Sequence, residues 1–329
     1  MKPNSKLTLI GFVALALILT VTCVVVILFA TPLWAADAPA TTPPAEGEKR
    51  GDSGQAYSHP EHGSLSEIGA KLSNPVSDVW ALLTEFDLSF SNGDVNKGGS
   101  KIGGRMILQP TMPIPLYGTG KEAWKLITRP IIPLVFSQPV PKGFDNFNNL
   151  GGLGDIELPM LVSPPAGNWI LGLGPTWLFP TATRDALGRQ QWGVGPAAVL
   201  GYQTKEWIGF VFPQYWWGIG GAGQNKKTPD ASYLSMLYGF FYNLPNGWQV
   251  GTNPTISYDH KASSGNKWNV PIGITVAKMT KIGDVPVKFQ LAIEYSVLGQ
   301  DAFGQVAQIK LNIIPVIKSL IKEPILGGK

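Results

Sequence analysis

The chain has 329 residues, of which 44% are hydrophobic and only 15% charged. Its 39 glycines and 28 prolines, about one residue in five, follow no collagen-like period and exclude a helical bundle. The formal charge of +4 falls to +2 once Lys2 and Lys6 are set aside, which excludes nucleic acid as a partner, and the single cysteine, Cys23, leaves no disulfide and no thiolate metal site.

Residues 1–35 have the order of a signal peptide: Lys2 and Lys6, an apolar run from Leu7 to Ala30, the breaker Pro32, and Ala35 before the expected cleavage point. The same run is long enough to serve as an uncleaved inner-membrane anchor. Cys23, inside that run, suits a helix interior better than a lipid-attachment site. Residues 36–64 are rich in Pro, Ala, Thr and Glu and short of large apolar side chains, the composition of a disordered linker. Residues 65–84 then space Leu65, Ile68, Leu72, Val76, Val79, Trp80 and Leu83 mostly three or four apart, interrupted at Asn74-Pro75. That spacing predicts a short amphipathic segment or plug.

From residue 85 to 317 the period changes to two. Between Val285 and Val297 the odd positions are Val, Val, Phe, Leu, Ile, Tyr and Val, whereas Lys288, Gln290, Glu294 and Ser296 hold even positions. Trp248 to Asp259 and Lys267 to Lys278 alternate in the same way. The whole stretch predicts twelve strands, at 85–91, 102–115, 123–137, 154–163, 168–180, 191–203, 206–217, 231–244, 247–259, 267–281, 285–298 and 304–316. Most reach the length of about 9 to 11 residues that a tilted strand needs to cross a bilayer. A transmembrane helix is excluded over 158–183, the best uncharged stretch, by Pro159, Pro164, Pro165, Pro175 and Pro180.

Alternate connections differ in length. Those at 119–121, 164–167, Lys205, Asn246-Gly247 and Gly283-Asp284 are short, and Asn246-Gly247 is a two-residue hairpin signal. Those at 92–101, 138–152, 181–190, 218–230 and 260–266 are longer and polar, with 300–303 the shortest of that set. Short turns at one end and long loops at the other predict an all-β, up-and-down antiparallel transmembrane barrel, with both termini on the periplasmic side. Trp124, Trp169, Trp207 and Trp248 follow short turns while Trp192 and Trp268 follow long loops, as two membrane-interface girdles require. The expected setting is the outer membrane of a Gram-negative bacterium, reached by export, with outer-membrane lipid and the barrel-assembly machinery as partners.

Prolines oppose this reading. Pro110, Pro130, Pro159, Pro175, Pro196, Pro213, Pro254 and Pro271 fall inside predicted strands, and each removes a ladder donor from a sheet without a free edge. Bulges or local unpairing must accommodate them, and a soluble secreted all-β domain stays open as an alternative.

Leu153-Gly154-Asp155, Gly172-Leu173-Gly174-Pro175, 178–183 (LFPTAT) and Trp192-Gly193-Val194-Gly195-Pro196, together with Arg129-Pro130-Ile131-Ile132-Pro133 and Lys281-Ile282-Gly283, make the chain similar to a family of bacterial outer-membrane barrel transporters. That family is related to the meta-pathway phenol-degradation proteins, and some members carry the label neuromedin U. The resemblance runs from Asn74-Pro75 to Pro315. It implies an outer-membrane location and passage of small solutes, and brings no catalytic residues with it. The tail at 318–329 departs from the pattern, because it lacks the terminal aromatic with which such barrels usually end.

Other motifs carry less. Gly218, Gly220 and Gly223 match a dinucleotide fingerprint, but the polar segment after them holds Pro229 and offers no helix to a phosphate. Ser91-Asn92-Gly93 resembles the serine motif of the outer-membrane phospholipase, another twelve-stranded barrel, yet Ser89 stands where a histidine base is needed. The histidines are His59, His62 and His260, too scattered for a metal site. No enzyme activity, cofactor or metal is expected. Parity instead turns Glu85, Asp87, Arg105, Lys125, Arg129, Asp155, Glu157, Lys288, Glu294 and Lys310 into the lumen, five acids and five bases. They line either a polar channel for small, organic solutes or a salt-bridge ladder that fills a closed structural or interaction barrel.

Overall fold

The computed structural model describes residues 64–221 and 230–327. The expected leader, the linker up to residue 63, Cys23, His59, His62, Gly223 and most of the 218–230 connection lie outside the described residues. Among those described, no helix is long and apolar enough to cross a membrane.

Helix α1, Leu65–Ser73, begins with a capping box: Glu67 N–H donates to Ser64 Oγ (3.2 Å) and Ser64 N–H to Glu67 Oε2 (3.1 Å). It stops before Pro75, whose ring and missing N–H cannot continue the helical ladder. Val76, Val79 and Trp80 of the expected amphipathic segment are therefore not helical, and the first strand starts at Ala81, four residues ahead of the predicted boundary.

Fifteen strand segments follow: β1 (Ala81–Asn92), β2 (Lys101–Tyr117), β3 (Trp124–Thr128), β4 (Ile132–Gly143), β5 (Asn146–Leu153), β6 (Ile156–Ser163), β7 (Trp169–Phe179), β8 (Trp192–Gln203), β9 (Trp207–Gly220), β10 (Ser232–Asn243), β11 (Trp248–Thr252), β12 (Thr255–Asp259), β13 (Trp268–Ile282), β14 (Val285–Leu298) and β15 (Gly304–Pro315). Three pairs, β3 with β4, β5 with β6 and β11 with β12, are single barrel strands interrupted near Pro130, at Gly154-Asp155 and at Asn253-Pro254. This gives twelve antiparallel strands. The sheet closes because β1 pairs with β2 on one side and β15 on the other, as in Asp87 opposite both Arg105 and Lys310.

One predicted loop is strand instead. Residues 138–152 form the outer parts of β4 and β5, paired through Gln138 with Leu150 and Pro141 with Phe147, around a turn at Phe144-Asp145. The turn is tied to the preceding long loop by Asp145 N–H to the Val95 carbonyl (2.9 Å) and Lys97 N–H to Asp145 Oδ1 (2.6 Å). At the opposite end, Asn246 and Gly247 take φ of 60° and 74°, and Trp248 N–H donates to the Pro245 carbonyl, so this connection is the tight left-handed turn that an Asn-Gly pair favours.

The prolines coincide with local defects in the ladder. Pro130 and Pro254 occupy strand interruptions, and Pro271 sits beside a register shift after Val270. Pro175 lies opposite Pro196, so two missing donors face each other. Gly174 and Gly195 flank that site, and any side chain there would collide with the carbonyl oxygens of Met160 and Tyr215, which lean into the space left free.

Polarity runs opposite to that of a soluble sheet. On β14, Ile293 and Tyr295 are 56% and 58% exposed, whereas Gln290 and Glu294 are 3% and 2% exposed. Apolar side chains facing outward and charges buried inside suit a hydrocarbon surround. A soluble secreted domain is excluded on that ground.

Candidate functional site

The interior has two unlike walls. On β1, β2, β14 and β15 the inward positions are polar, and charges there meet across strands. Arg105 Nε donates to Asp87 Oδ2 (2.7 Å), and Lys310 Nζ lies 2.8 Å from Glu294 Oε1. On β6 to β10 the inward positions nearest the short turns are mainly apolar: Leu161, Ile170, Val199, Ile208, Phe210 and Phe241 belong to one buried cluster that also takes in Val76 of the N-terminal segment.

Between these walls lies a cavity of about 440 Å³, within the range of small-molecule sites. Glu85, Arg105, Arg129, Asp155, Glu157, Glu294 and Lys310 of the sequence-derived lumen set line it, with Asp87 buried beneath Arg105. Glu157 accepts from the Tyr233 hydroxyl (3.1 Å), and Arg129 Nε donates to Gln109 Oε1 (3.0 Å).

The other two residues of that set serve the N-terminal segment. Lys288, 1% exposed, donates to Ser73 Oγ (2.6 Å) and the Gly69 carbonyl (3.4 Å) at the C-terminal end of α1, where the helix dipole favours a cation. Lys125 has Asp78 and Lys71 as its charged neighbours. The segment is held further by Gly247 N–H to Ser66 Oγ (3.1 Å), Asn74 Nδ2 to Gln203 Oε1 (2.9 Å) and Trp80 Nε1 to the Pro113 carbonyl (2.9 Å). Leu72, Ser73, Asn74, Pro75, Ser77 and Val79 contribute to the cavity lining, so this segment forms its floor at the short-turn end.

Toward the long loops a second pocket of about 380 Å³ opens beneath the β4–β5 hairpin. Arg105, Gln305 and Gln308 line both spaces, which places a polar neck between two chambers in series. The 181–190 connection is drawn against the barrel wall rather than splayed outward. The Asp155 carboxylate accepts from the backbone N–H groups of Ala182 (2.9 Å), Arg189 (2.5 Å) and Gln190 (3.2 Å), and the Arg189 guanidinium pairs with Asp259. Asp155 and Ala182 fall within two of the segments that carry the family resemblance, Leu153-Gly154-Asp155 and 178–183.

On the outer surface Trp169, Tyr202, Trp207 and Phe240 form a chain of ring contacts at 5.1 to 5.9 Å near the short turns. Trp248 lies beneath Lys278 Nζ (5.0 Å), and Trp124 is exposed. Near the long loops Trp192 meets Phe179 (5.5 Å) and Trp268 meets Tyr258 (4.5 Å).

Ser91 lines the outer pocket, and among the described residues no hydrogen bond joins it to a histidine; His260 lies edge-on to Tyr258. Among the described residues no three His, Cys, Asp or Glu side chains converge as metal ligands.

No family model and no curated relative matches the sequence. Among solved structures, the chain is similar to an outer membrane channel from Pseudomonas putida F1, at 14% identity over 74% of this chain and 98% of the other, with a TM-score of 0.56. The fold is an outer-membrane β-barrel. More distant are the NanC porin (10% identity, 73% and 99% covered, TM-score 0.41) and the outer membrane phospholipase A of Escherichia coli (12%, 77% and 99%, 0.34). Closure without a free edge and an outward apolar face place the barrel in the outer membrane of a Gram-negative bacterium.

Proposed function

We propose that this barrel is a channel for small organic solutes, with residues 64–80 closing its short-turn, periplasmic end. The observation that carries this reading is the pair of chambers in series, joined at Arg105, Gln305 and Gln308 and floored by Leu72, Ser73, Asn74, Pro75 and Ser77. A barrel serving only as a scaffold gains nothing from leaving about 440 Å³ unfilled beside buried charges. The family resemblance to transporters of the phenol-degradation group agrees with an organic cargo, because the apolar wall gives a ring or alkyl body somewhere to lie. The Pseudomonas putida channel is a like fold and supports the same class.

The two rows of tryptophans match the interfacial girdles of such barrels, and the greater length of the loops at one end supports an extracellular face there. The phospholipase reading has no comparable support, since Ser91 lacks a basic partner among the described residues.

Conductance of the purified full chain in a planar bilayer tests the proposal. Single-channel steps that become larger or more frequent when Lys288→Met releases the end of α1 are expected. A silent bilayer with both proteins, given correctly folded barrels, would remove the channel reading and leave the closed barrel.

A further inference from the structure

The central cavity contains three cations, and their partners differ. Arg105 is paired with Asp87, and Lys310 with Glu294. Arg129 has only a neutral partner: its Nε donates to Gln109 Oε1 (3.0 Å), and no carboxylate among the described residues lies within ion-pair distance of its guanidinium. Glu85, two strands away on β1, acts on it electrostatically without contact and is shared with Lys310 and Arg105. The two terminal nitrogens of Arg129 thus remain as donors, in the planar fork that fits a carboxylate.

Position adds to this. Arg129 stands at the interruption between β3 and β4, where Pro130 breaks the ladder, and its own N–H is taken by the Pro159 carbonyl (3.3 Å). It lines the same cavity as the phenyl rings of Phe210, Phe212 and Phe241 and as Leu237. A guanidinium withdrawn from bulk water gains most from an anionic partner, and three phenyl rings favour a flat aromatic body over an alkyl chain.

From this arrangement we infer that the cavity is a binding site for a small aromatic monocarboxylate, its carboxylate on Arg129 and its ring against Phe210, Phe212 and Phe241. The inference deepens the channel reading by naming what the lumen holds. About 440 Å³ is room for one substituted ring and a few waters. Arg105 at the neck keeps its fork partly occupied by Asp87, so it serves passage rather than retention.

Equilibrium binding to the purified full chain in detergent, followed by isothermal titration or intrinsic tryptophan fluorescence, tests it with benzoate, acetate and benzyl alcohol as probes. Benzoate is expected to bind saturably and at least about tenfold more tightly than acetate, which lacks the ring, or benzyl alcohol, which lacks the charge. Arg129→Gln should reduce benzoate to the level of benzyl alcohol and leave benzyl alcohol unchanged. Arg129→Lys, which keeps the charge and loses the fork, should fall between them and guards against a folding defect. Equal binding of benzoate to the native and Gln forms, or benzoate bound no better than benzyl alcohol, overturns the site. Bilayer conductance on the same preparations separates the two ideas: a conducting barrel that ignores benzoate refutes this inference alone, and a benzoate-binding barrel without conductance refutes the channel alone.

Discussion

Arginine placed on the two faces of the wall should have very different costs. Ile274 is 59% exposed and sits opposite Ile293, so both point outward from neighbouring strands. Within Trp268–Ile282 it lies six residues from one end and eight from the other. At roughly 3.4 Å per residue, and a tilt of about 40°, those distances project to about 16 and 21 Å along the membrane normal. Ile274 therefore falls within a few Å of the middle of the strand, and of an apolar band about 25 Å tall centred on it. Ile274→Arg should then destabilise the barrel by about 2–4 kcal/mol. Ser235 on β10 lines the cavity and faces Gln214 and Ser257 on its neighbours. Ser235→Arg places the same charge in the polar-lined cavity, and its cost should stay below about 1 kcal/mol. Reversible urea unfolding from lipid vesicles, read by tryptophan emission and by mobility on unheated gels, measures both. Equal costs at the two positions would falsify the assignment of outer and inner faces.

Other expectations follow from single contacts. Asp155→Asn removes the charge that gathers three amides of the 181–190 loop, and should raise hydrogen exchange at Ala182, Arg189 and Gln190 while leaving β13 and β14 protected. Asn246→Val forces a β-branched residue to φ of 60° and should cost about 1–2 kcal/mol in the same urea assay, whereas Asn246→Gly should be nearly neutral. Cysteines at Asn246 and Asn266 report sidedness: an impermeant thiol reagent applied to intact cells should label the second and not the first, and the reverse would invert the orientation. Replacing Arg105 and Arg129 together by Gln should shift the reversal potential of a conducting barrel toward cation preference, and an unchanged potential would mean these side chains do not meet the ion path.

Alternation was enough to read the wall wherever its two faces differ in chemistry. From Val285 to Leu298 the Lys, Gln and Glu residues all hold even positions while the odd positions are apolar, and a strand at a boundary between hydrocarbon and water has one way to satisfy both. Asn246-Gly247 likewise fixed a turn locally, because two successive left-handed residues are cheap only for such a pair. The twelve-strand count came from these local signals.

Where both faces are apolar, the sequence is silent. Trp207 to Trp217 runs Trp, Ile, Gly, Phe, Val, Phe, Pro, Gln, Tyr, Trp, Trp, with no period to choose between faces. Pairing with β8 and β10 turned Ile208, Phe210, Phe212 and Trp216 inward, and only then did the lumen acquire an apolar wall opposite its charged one. Parity also gives the side of a residue without its height or its partner across the barrel. Ten charges shared one face on paper; in the folded chain Lys288 and Lys125 stand with the N-terminal segment, Asp155 holds a loop, Asp87 and Glu294 neutralise two cations, and Arg129 remains with a neutral neighbour. Those assignments depend on strand stagger and on which segments fold back into the barrel, both set by contacts between residues far apart in the chain.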